Sequence, residues 1–230
     1  MPNPRDAVKN IKRTELTIII PTLNAAETLP ATLAALAGAE TLVVDGGSVD
    51  GTPLLAAGRG ARVITALRGR GPQLVAGAAA ATTPWLLFLH ADTVLAPGWQ
   101  TAVQHHMATA PGKAAYFRFA LDSPDPRARR LERRVAWRCR VLTLPYGDQG
   151  LLISRTLLAS VGGVRPIPLM EDVDLVRRLG CRLAALPIAV TTSAQRWDRE
   201  GWRRRSARNL ACLALWSLGV SPRILVRLYG

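Results

Sequence analysis

Apolar runs too short to be helices alternate with stretches of helical spacing through the first half of the chain. Residues 16–20 form the first such run, β-branched and ended by Pro21, and read as a strand. An apolar helical stretch over 29–37 follows, with Thr28 as the expected cap and Gly38 as the stop. Residues 41–44, 62–65 and 85–89 read as three further strands, the last of them fully buried. Between them, Thr52-Pro53 opens a helix in cap-then-proline order, and 72–81 is an alanine-rich helix. Strands alternating with helices predict an α/β fold on a mostly parallel sheet.

The second half is less regular. It predicts a strand over 114–121, an arginine-studded helix over 127–142, a polar turn over 145–150 and a short strand over 151–153. A helix then runs from Ser154 to Gly162-Gly163, another begins in the cluster Glu171-Asp172-Val173-Asp174, and a basic-flanked apolar helix closes the chain. The length of 230 residues suits one moderately large domain with an appended element. The expected organisation is a loose segment over 1–14, a domain over 15–195 divided near residue 95, and a basic amphipathic helical extension over 196–230.

Composition narrows the classes. A hydrophobic fraction of 49% and a mean hydropathy of +0.13 exclude disorder over most of the length. The net charge of +14 permits nucleic acid, anionic lipid or phosphorylated small molecules and selects none of them. Lysine occurs only at 9, 12 and 113, so arginine carries the charge, a bias that genome composition also produces. Cys139, Cys181 and Cys212 are far apart and odd in number, which favours a reducing, cytoplasmic setting. No secretory signal is read at the N-terminus, and the uncharged run over 71–89 is broken by Pro72, Gly77 and Pro84, so no spanning helix is expected.

Ligands of open parallel sheets bind outside the carboxyl ends of the strands. Here those ends carry Pro21-Thr22-Leu23-Asn24, Asp45-Gly46-Gly47-Ser48 and His90-Ala91-Asp92. Asp92 is placed to hold a hard divalent cation against a ligand's phosphates, although a strand-end Asp read alone is more often a cap on the turn, here into Thr93. Asp45 can accept from a base N–H, with Gly46 and Gly47 admitting a flat ring, although Asp-Gly is also an ordinary turn. Arg70, in a glycine-rich stretch before a helix, can pair with phosphate oxygens. Glu171 and Asp172 lie in a cluster where like charge and partial burial would raise a carboxyl pKa, as a general base needs; the cluster also complements a helix N-terminus. Asp148 and Gln149, in the polar turn, are candidates for bonding sugar hydroxyls.

In this order the motifs resemble the family 2 glycosyltransferases of the GT-A fold: Ile20-Pro21-Thr22-Leu23-Asn24, Val43-Val44-Asp45-Gly46-Gly47-Ser48, Gly69-Arg70-Gly71, Leu87-Phe88-Leu89-His90-Ala91-Asp92 and Glu171-Asp172-Val173-Asp174-Leu175. The overall pattern is most similar to a subgroup of short bacterial members, some named for arsenosugar synthesis. The resemblance implies a nucleotide-diphosphate sugar donor, UDP-linked by preference, bound by Pro21, Thr22, Leu23, Asn24, Glu27, Asp45, Gly46, Gly47, Ser48, Arg70, His90, Ala91 and Asp92. It implies Mg²⁺ or Mn²⁺ on Asp92 as the last residue of a DxD-like motif, Asp172 as the base with Glu171 beside it, and inversion at the anomeric carbon. The acceptor would bear a hydroxyl, with lipid-linked acceptors among the candidates. His90 departs from the family pattern, which has an acidic residue there, and Val75 stands where many relatives carry Asn.

Six arginines between 196 and 208 lead into an apolar stretch over 210–220, which fits either an interfacial membrane helix or a helix packed on the domain. Peripheral contact with an anionic membrane is therefore one expectation, and no nucleic acid is expected. Two competing readings are a nucleotidyltransferase, whose glycine-rich, lysine-bearing loop is missing from 21–24, and a basic nucleic-acid-binding protein, whose binding would be steeply salt-dependent.

Overall fold

The computed structural model describes residue 12 and residues 14–229, so the segment expected over 1–14 lies almost wholly outside the described residues. The alternating first half forms β1 (Leu16–Thr22), α1 (Leu29–Ala35), β2 (Glu40–Asp45), α2 (Thr52–Gly58), β3 (Arg62–Thr65), α3 (Arg70–Ala80) and β4 (Trp85–Phe88). There follow β5 (Thr93–Leu95), α4 (Trp99–Thr109), β6 (Ala114–Leu121), α5 (Pro126–Leu142), β7 (Leu151–Ser154), α6 (Arg155–Ser160), α7 (Glu171–Leu179) and β8 (Leu183–Thr192). Helices α8 (Gln195–Glu200), α9 (Trp202–Ser217) and α10 (Pro222–Tyr229) end the described chain.

One eight-stranded sheet runs in the order β3-β2-β1-β4-β7-β6-β8-β5. Its first four strands are parallel, β7 is antiparallel to both its neighbours, and β5 runs antiparallel to β8 on the edge. The side-chain alternation of the strands splits the core between two faces. Ile18, Ile20, Val43 and Leu87 pack toward one layer with Leu33 of α1 and Val103 of α4. Ile19, Leu42, Val44 and Leu86 pack the other way, against Leu74 of α3, Leu157 of α6 and Leu175 of α7. Helix α3 sits close to the sheet because residue 77 is glycine; a Cβ there would meet Ile19 Cγ2 at 2.5 Å and Val44 Cγ2 at 3.0 Å.

Several local outcomes differ from the sequence expectation. Strand β1 continues through Pro21 to Thr22, because Pro21 faces the side of Ile19, whose carbonyl takes the Leu89 amide where β4 ends. The missing proline N–H falls beyond the last rung of that ladder and costs no hydrogen bond. Thr28 makes no side-chain cap; it already has helical backbone angles. Strand β8, unassigned from the sequence, carries Pro187 at a bulge, where Leu186-Pro187-Ile188 stand opposite the single residue Phe117 of β6.

The boundary expected at 195/196 falls inside α8. Trp197 of α8 and Trp202 of α9 stack at 5.8 Å and pack with Phe119, Val135 and Cys139 of β6 and α5. Cys212 of α9 and Leu225 of α10 are buried against Met170 and Val173. The C-terminal helices are thus part of the domain's packing. Among the described residues, no helix is long and apolar enough to cross a membrane.

Candidate active site

The first two βα loops are laced into one wall. Asn24, at φ +49°, takes the Val49 amide on its side-chain oxygen while its own amide bonds Ser48 Oγ. The amides of Ala25 and Ala26 bond Thr52 Oγ1 and Asp50 Oδ2. Asp45 is 3% exposed and organises the second loop: Oδ1 accepts from Thr22 and Ser48 hydroxyls, Oδ2 from the Gly47 and Ser48 amides. Burial pushes its pKa up, but these hydrogen bonds outweigh burial and hold it below the ordinary value. Four donors fill the four lone-pair positions of a carboxylate, so Asp45 builds the loop and has no free position to offer a ring N–H. Gln73 locks the strand ends from α3, its Nε2 donating to the carbonyls of Thr22 and Val44 at 2.7 Å each.

In front of that wall lies a cleft of about 840 Å³. Of the donor-site candidates, Pro21, Thr22, Leu23, Asn24, Glu27, Arg70, His90, Ala91 and Asp92 line it, whereas Asp45, Gly46, Gly47 and Ser48 are not among its lining residues. Four arginines, Arg68, Arg70, Arg196 and Arg199, border the cleft. Arg196 and Arg199 belong by sequence to the basic extension; the fold brings α8 to the rim, where Gln195 Nε2 bonds Glu27 Oε1 at 3.3 Å. Neither arginine lies in a motif, so only their tertiary placement identifies them.

The His90-Ala91-Asp92 turn is fixed by its backbone. Thr32 of α1 donates to the Ala91 carbonyl at 2.9 Å, and the Ser193 amide bonds the Asp92 carbonyl at 3.3 Å. The Asp92 carboxylate is only lightly held: Thr93 Oγ1 is 3.4 Å from Oδ1 and Arg196 Nη2 is 4.0 Å from Oδ2. Among the described residues no backbone amide bonds it, as a turn cap would require. No group of three or more His, Cys, Asp or Glu residues suited to a metal ion occurs among them either. The residues present therefore fit a cation that takes one protein carboxylate and fills its shell with phosphate oxygens and water, the habit of Mg²⁺.

His90 lies 3.0 Å from Arg70 through Nε2. A guanidinium only donates, so Nε2 accepts and the neutral ring carries its proton on Nδ1. Burial and then the Arg70 charge lower its pKa to about 4, against the opposing pull of Asp92 and Asp172. With Nε2 engaged, this atom is not available to a metal ion.

Arg70 also forms a 3.0 Å ion pair with Glu171, whose side chain is 1% exposed. Burial raises the Glu171 pKa to about 7, the nearby Arg70 pulling it down and Asp172 pushing it further up. Asp172 is held by the Gly147 amide on Oδ2 at 2.7 Å and the Val173 amide on Oδ1 at 2.8 Å. Gly147 permits that approach; a Cβ there would lie 2.8 Å from His90 Nε2 and 3.1 Å from Asp172 Oδ2. Asp174 belongs elsewhere, paired with Arg165 and Arg178.

The polar turn divides its two candidates. Asp148 lines a smaller cavity beside Asp172, and burial raises its pKa to about 6, with Arg138 opposing. Gln149 is a correction: at 2% exposure it is turned inward, accepting from the Tyr146 amide, Arg138 and Cys139 and donating to the Phe117 carbonyl. An amide with all its partners inside the protein shapes the turn and does not reach a ligand. Arg138 completes that support, lying 3.4 Å over the Tyr146 ring.

The βα-built cleft is bordered by arginines and carries Asp92 beside the smaller cavity that Asp172 lines. The family model described as Glycosyl transferase family 2 matches residues 17–161. The chain belongs to glycosyltransferase family 2. Over 79 residues it is 47% identical to an uncharacterized glycosyltransferase of Mycobacterium tuberculosis, a match covering 34% of this chain and 36% of that protein. Only about a third of the relative's length is therefore spanned.

The fold is GT-A. A mannosyltransferase of Pyrobaculum calidifontis, solved with GDP-Man and Mn²⁺, aligns with a TM-score of 0.64 at 20% identity, covering 85% of this chain and 61% of that one. Residues 1–349 of S. aureus TarS, solved with UDP-GlcNAc, align with a TM-score of 0.63 at 13% identity, covering 78% and 58%. Glucosyl-3-phosphoglycerate synthase of Mycobacterium tuberculosis, solved with Mn²⁺, UDP and glucosyl-3-phosphoglycerate, aligns with a TM-score of 0.55 at 19% identity, covering 78% and 70%.

Proposed function

We propose that the chain is an inverting glycosyltransferase that moves a sugar from a nucleoside-diphosphate donor to an acceptor hydroxyl, assisted by Mg²⁺ or Mn²⁺ at Asp92. The observation that carries this reading is the junction of two cavities: Arg70, His90, Asp92 and Arg196 line both the large cleft and the small one, while Asp172 lines only the small one. A diphosphate in the large cleft would lie among arginines beside Asp92, and its sugar would face Asp172 across the junction.

The acceptor oxygen attacks the anomeric carbon, the bond from that carbon to the diphosphate oxygen breaks, and Asp172 takes the hydroxyl proton. Each Asp172 oxygen accepts one backbone amide, which fixes the carboxylate and leaves each oxygen further acceptor capacity. A bound cation would supply charge stabilisation to the leaving diphosphate. Arg70 would add to it from the opposite wall, held in position by Glu171 and His90. Glu171 is on this reading a positioning residue, because its carboxylate faces the Arg70 guanidinium. Inversion follows from this direct displacement, which needs one base and no covalent sugar intermediate. UDP-linked sugars are the first donors to try.

Peripheral contact with an anionic membrane on the cytoplasmic side belongs to the same reading, supported by exposed Trp137, Val141 and Leu142 on the arginine-rich α5. Flotation with anionic vesicles at low salt tests it, and a protein left in the soluble fraction overturns it.

The donor site is tested by thermal shift with UDP-, GDP- and dTDP-sugars, with and without Mn²⁺ or Mg²⁺. A metal-dependent stabilisation of the wild type, lost in Asp92→Ala, is expected. Absence of any such shift in the wild type rejects the donor site. Asp172→Asn should keep the shift and lose turnover by about 10²- to 10⁴-fold; retained turnover would move the base elsewhere.

A further inference from the structure

Beside the donor cleft, a cavity of about 110 Å³ lies between the 147–149 turn, the start of α7, the end of β8 and helices α8 and α9. Its walls are of two kinds. Phe119, Met170, Val173 and Trp197 make an apolar side, and Asp148, Asp172, Arg205 and Asn209 a polar one. Three of the polar residues carry buried atoms with no hydrogen-bond partner among the described residues: Asp148 Oδ1, Arg205 Nε and Asn209 Oδ1. Arg205, 7% exposed, spends its charge on Glu200, which Nη1 meets at 2.8 Å, and lies 5.2 Å over the Trp197 ring.

Unpartnered buried polar atoms are costly, and three gathered around one cavity point to a ligand that bonds them. The cavity's charge limits that ligand. Asp92, Asp148 and Asp172 line the wall together with Arg70, Arg196 and Arg205; Arg70 is paired with Glu171, Arg196 faces Asp92 and Arg205 shares Glu200 with Arg208, so the lining offers no surplus positive charge to draw in a carboxylate or phosphate. A compact molecule with one apolar face and a rim of hydroxyls matches both walls. Pyranose rings have this construction, with C–H groups on the faces and hydroxyls around the edge.

Resting on the glycosyltransferase reading above, we propose that this cavity is the acceptor subsite, that it takes an uncharged sugar or sugar-like polyol, and that Asn209 and Asp148 bond its hydroxyls. Acceptor choice is then set in part by α9, outside the stretch that the family model matches.

The test measures nucleoside-diphosphate release from a donor that has first passed the metal-dependent thermal-shift screen. The acceptor panel holds uncharged methyl glycosides, their 6-phosphates and uronates, and a short-chain lipid-linked glycoside. Release stimulated by uncharged glycosides and not by the charged forms is expected. Asn209→Leu should raise the acceptor KM about tenfold with kcat little changed and the donor-induced thermal shift intact, the loss expected for one buried hydrogen bond to substrate. Asn209→Ser, which keeps a polar group, should recover part of that affinity and serves if the leucine variant fails to fold. Stimulation confined to anionic or lipid-linked acceptors, an unchanged KM in both variants, or no stimulation by any uncharged glycoside on a donor-binding protein overturns the proposal. If no donor binds at all, it is the glycosyltransferase reading that fails, and the acceptor assignment falls with it.

Discussion

Glu171→Gln provides a direct test of the electrostatics beneath the site. The wild-type carboxyl is 1% exposed, and its pKa is raised from an ordinary 4.5 to about 7, with burial outweighing the attraction of Arg70. That difference corresponds to about 3 kcal/mol, at about 1.4 kcal/mol for each tenfold change in proton affinity. Folding raises the proton affinity, so between pH 4.5 and about 7 the native state binds more protons than the unfolded chain, and stability falls as pH rises through that window. Glutamine has the shape of the protonated acid and no charge to bury, so the variant escapes the loss. Urea unfolding of both proteins from pH 4.5 to 8, with a chelator present, should show the variant gaining about 3 kcal/mol on the wild type up to about pH 7 and little beyond. Asp148, whose pKa is raised to about 6, contributes with the same sign at lower pH, but it is present in both proteins and cancels in the difference. A stability difference that stays constant across the series would mean that Glu171 is ionised throughout as the partner of Arg70, and would refute the reasoning from burial.

Arg196→Ala should weaken binding of UDP or GDP about tenfold by calorimetry, the loss expected for a charge-assisted bond to phosphate, and unchanged affinity would remove α8 from the donor site. Gly77→Ala should destabilise the fold by about 1–3 kcal/mol, since its Cβ would press into Ile19 and Val44; a urea midpoint equal to the wild type would contradict that packing.

The elements that the sequence disclosed best are those whose burial is periodic and local. Strands β1, β2 and β4 declare themselves by their apolar runs, and α6 by Ser154, whose Oγ caps Leu157 before the Gly162-Gly163 stop. Strand β8 escaped because Pro187 interrupts the pattern, and the bulge that accommodates it exists only against β6.

The candidate site follows the same division. Composition and motif order determined the α/β class, the family, and which strand ends carry Pro21–Asn24 and Asp92, because those residues follow directly on the strands that aim them. Tertiary structure decided what each side chain is free to do. Asp45 stands in its motif and Gln149 in its polar turn, yet both spend their polar atoms inside the protein, Arg196 reaches the cleft only because α8 packs back on β6, and Glu171 is driven toward neutrality by burial. Hydrogen-bond saturation, desolvation and the approach of distant segments depend on contacts far apart in the chain, and a local pattern of residues does not encode them.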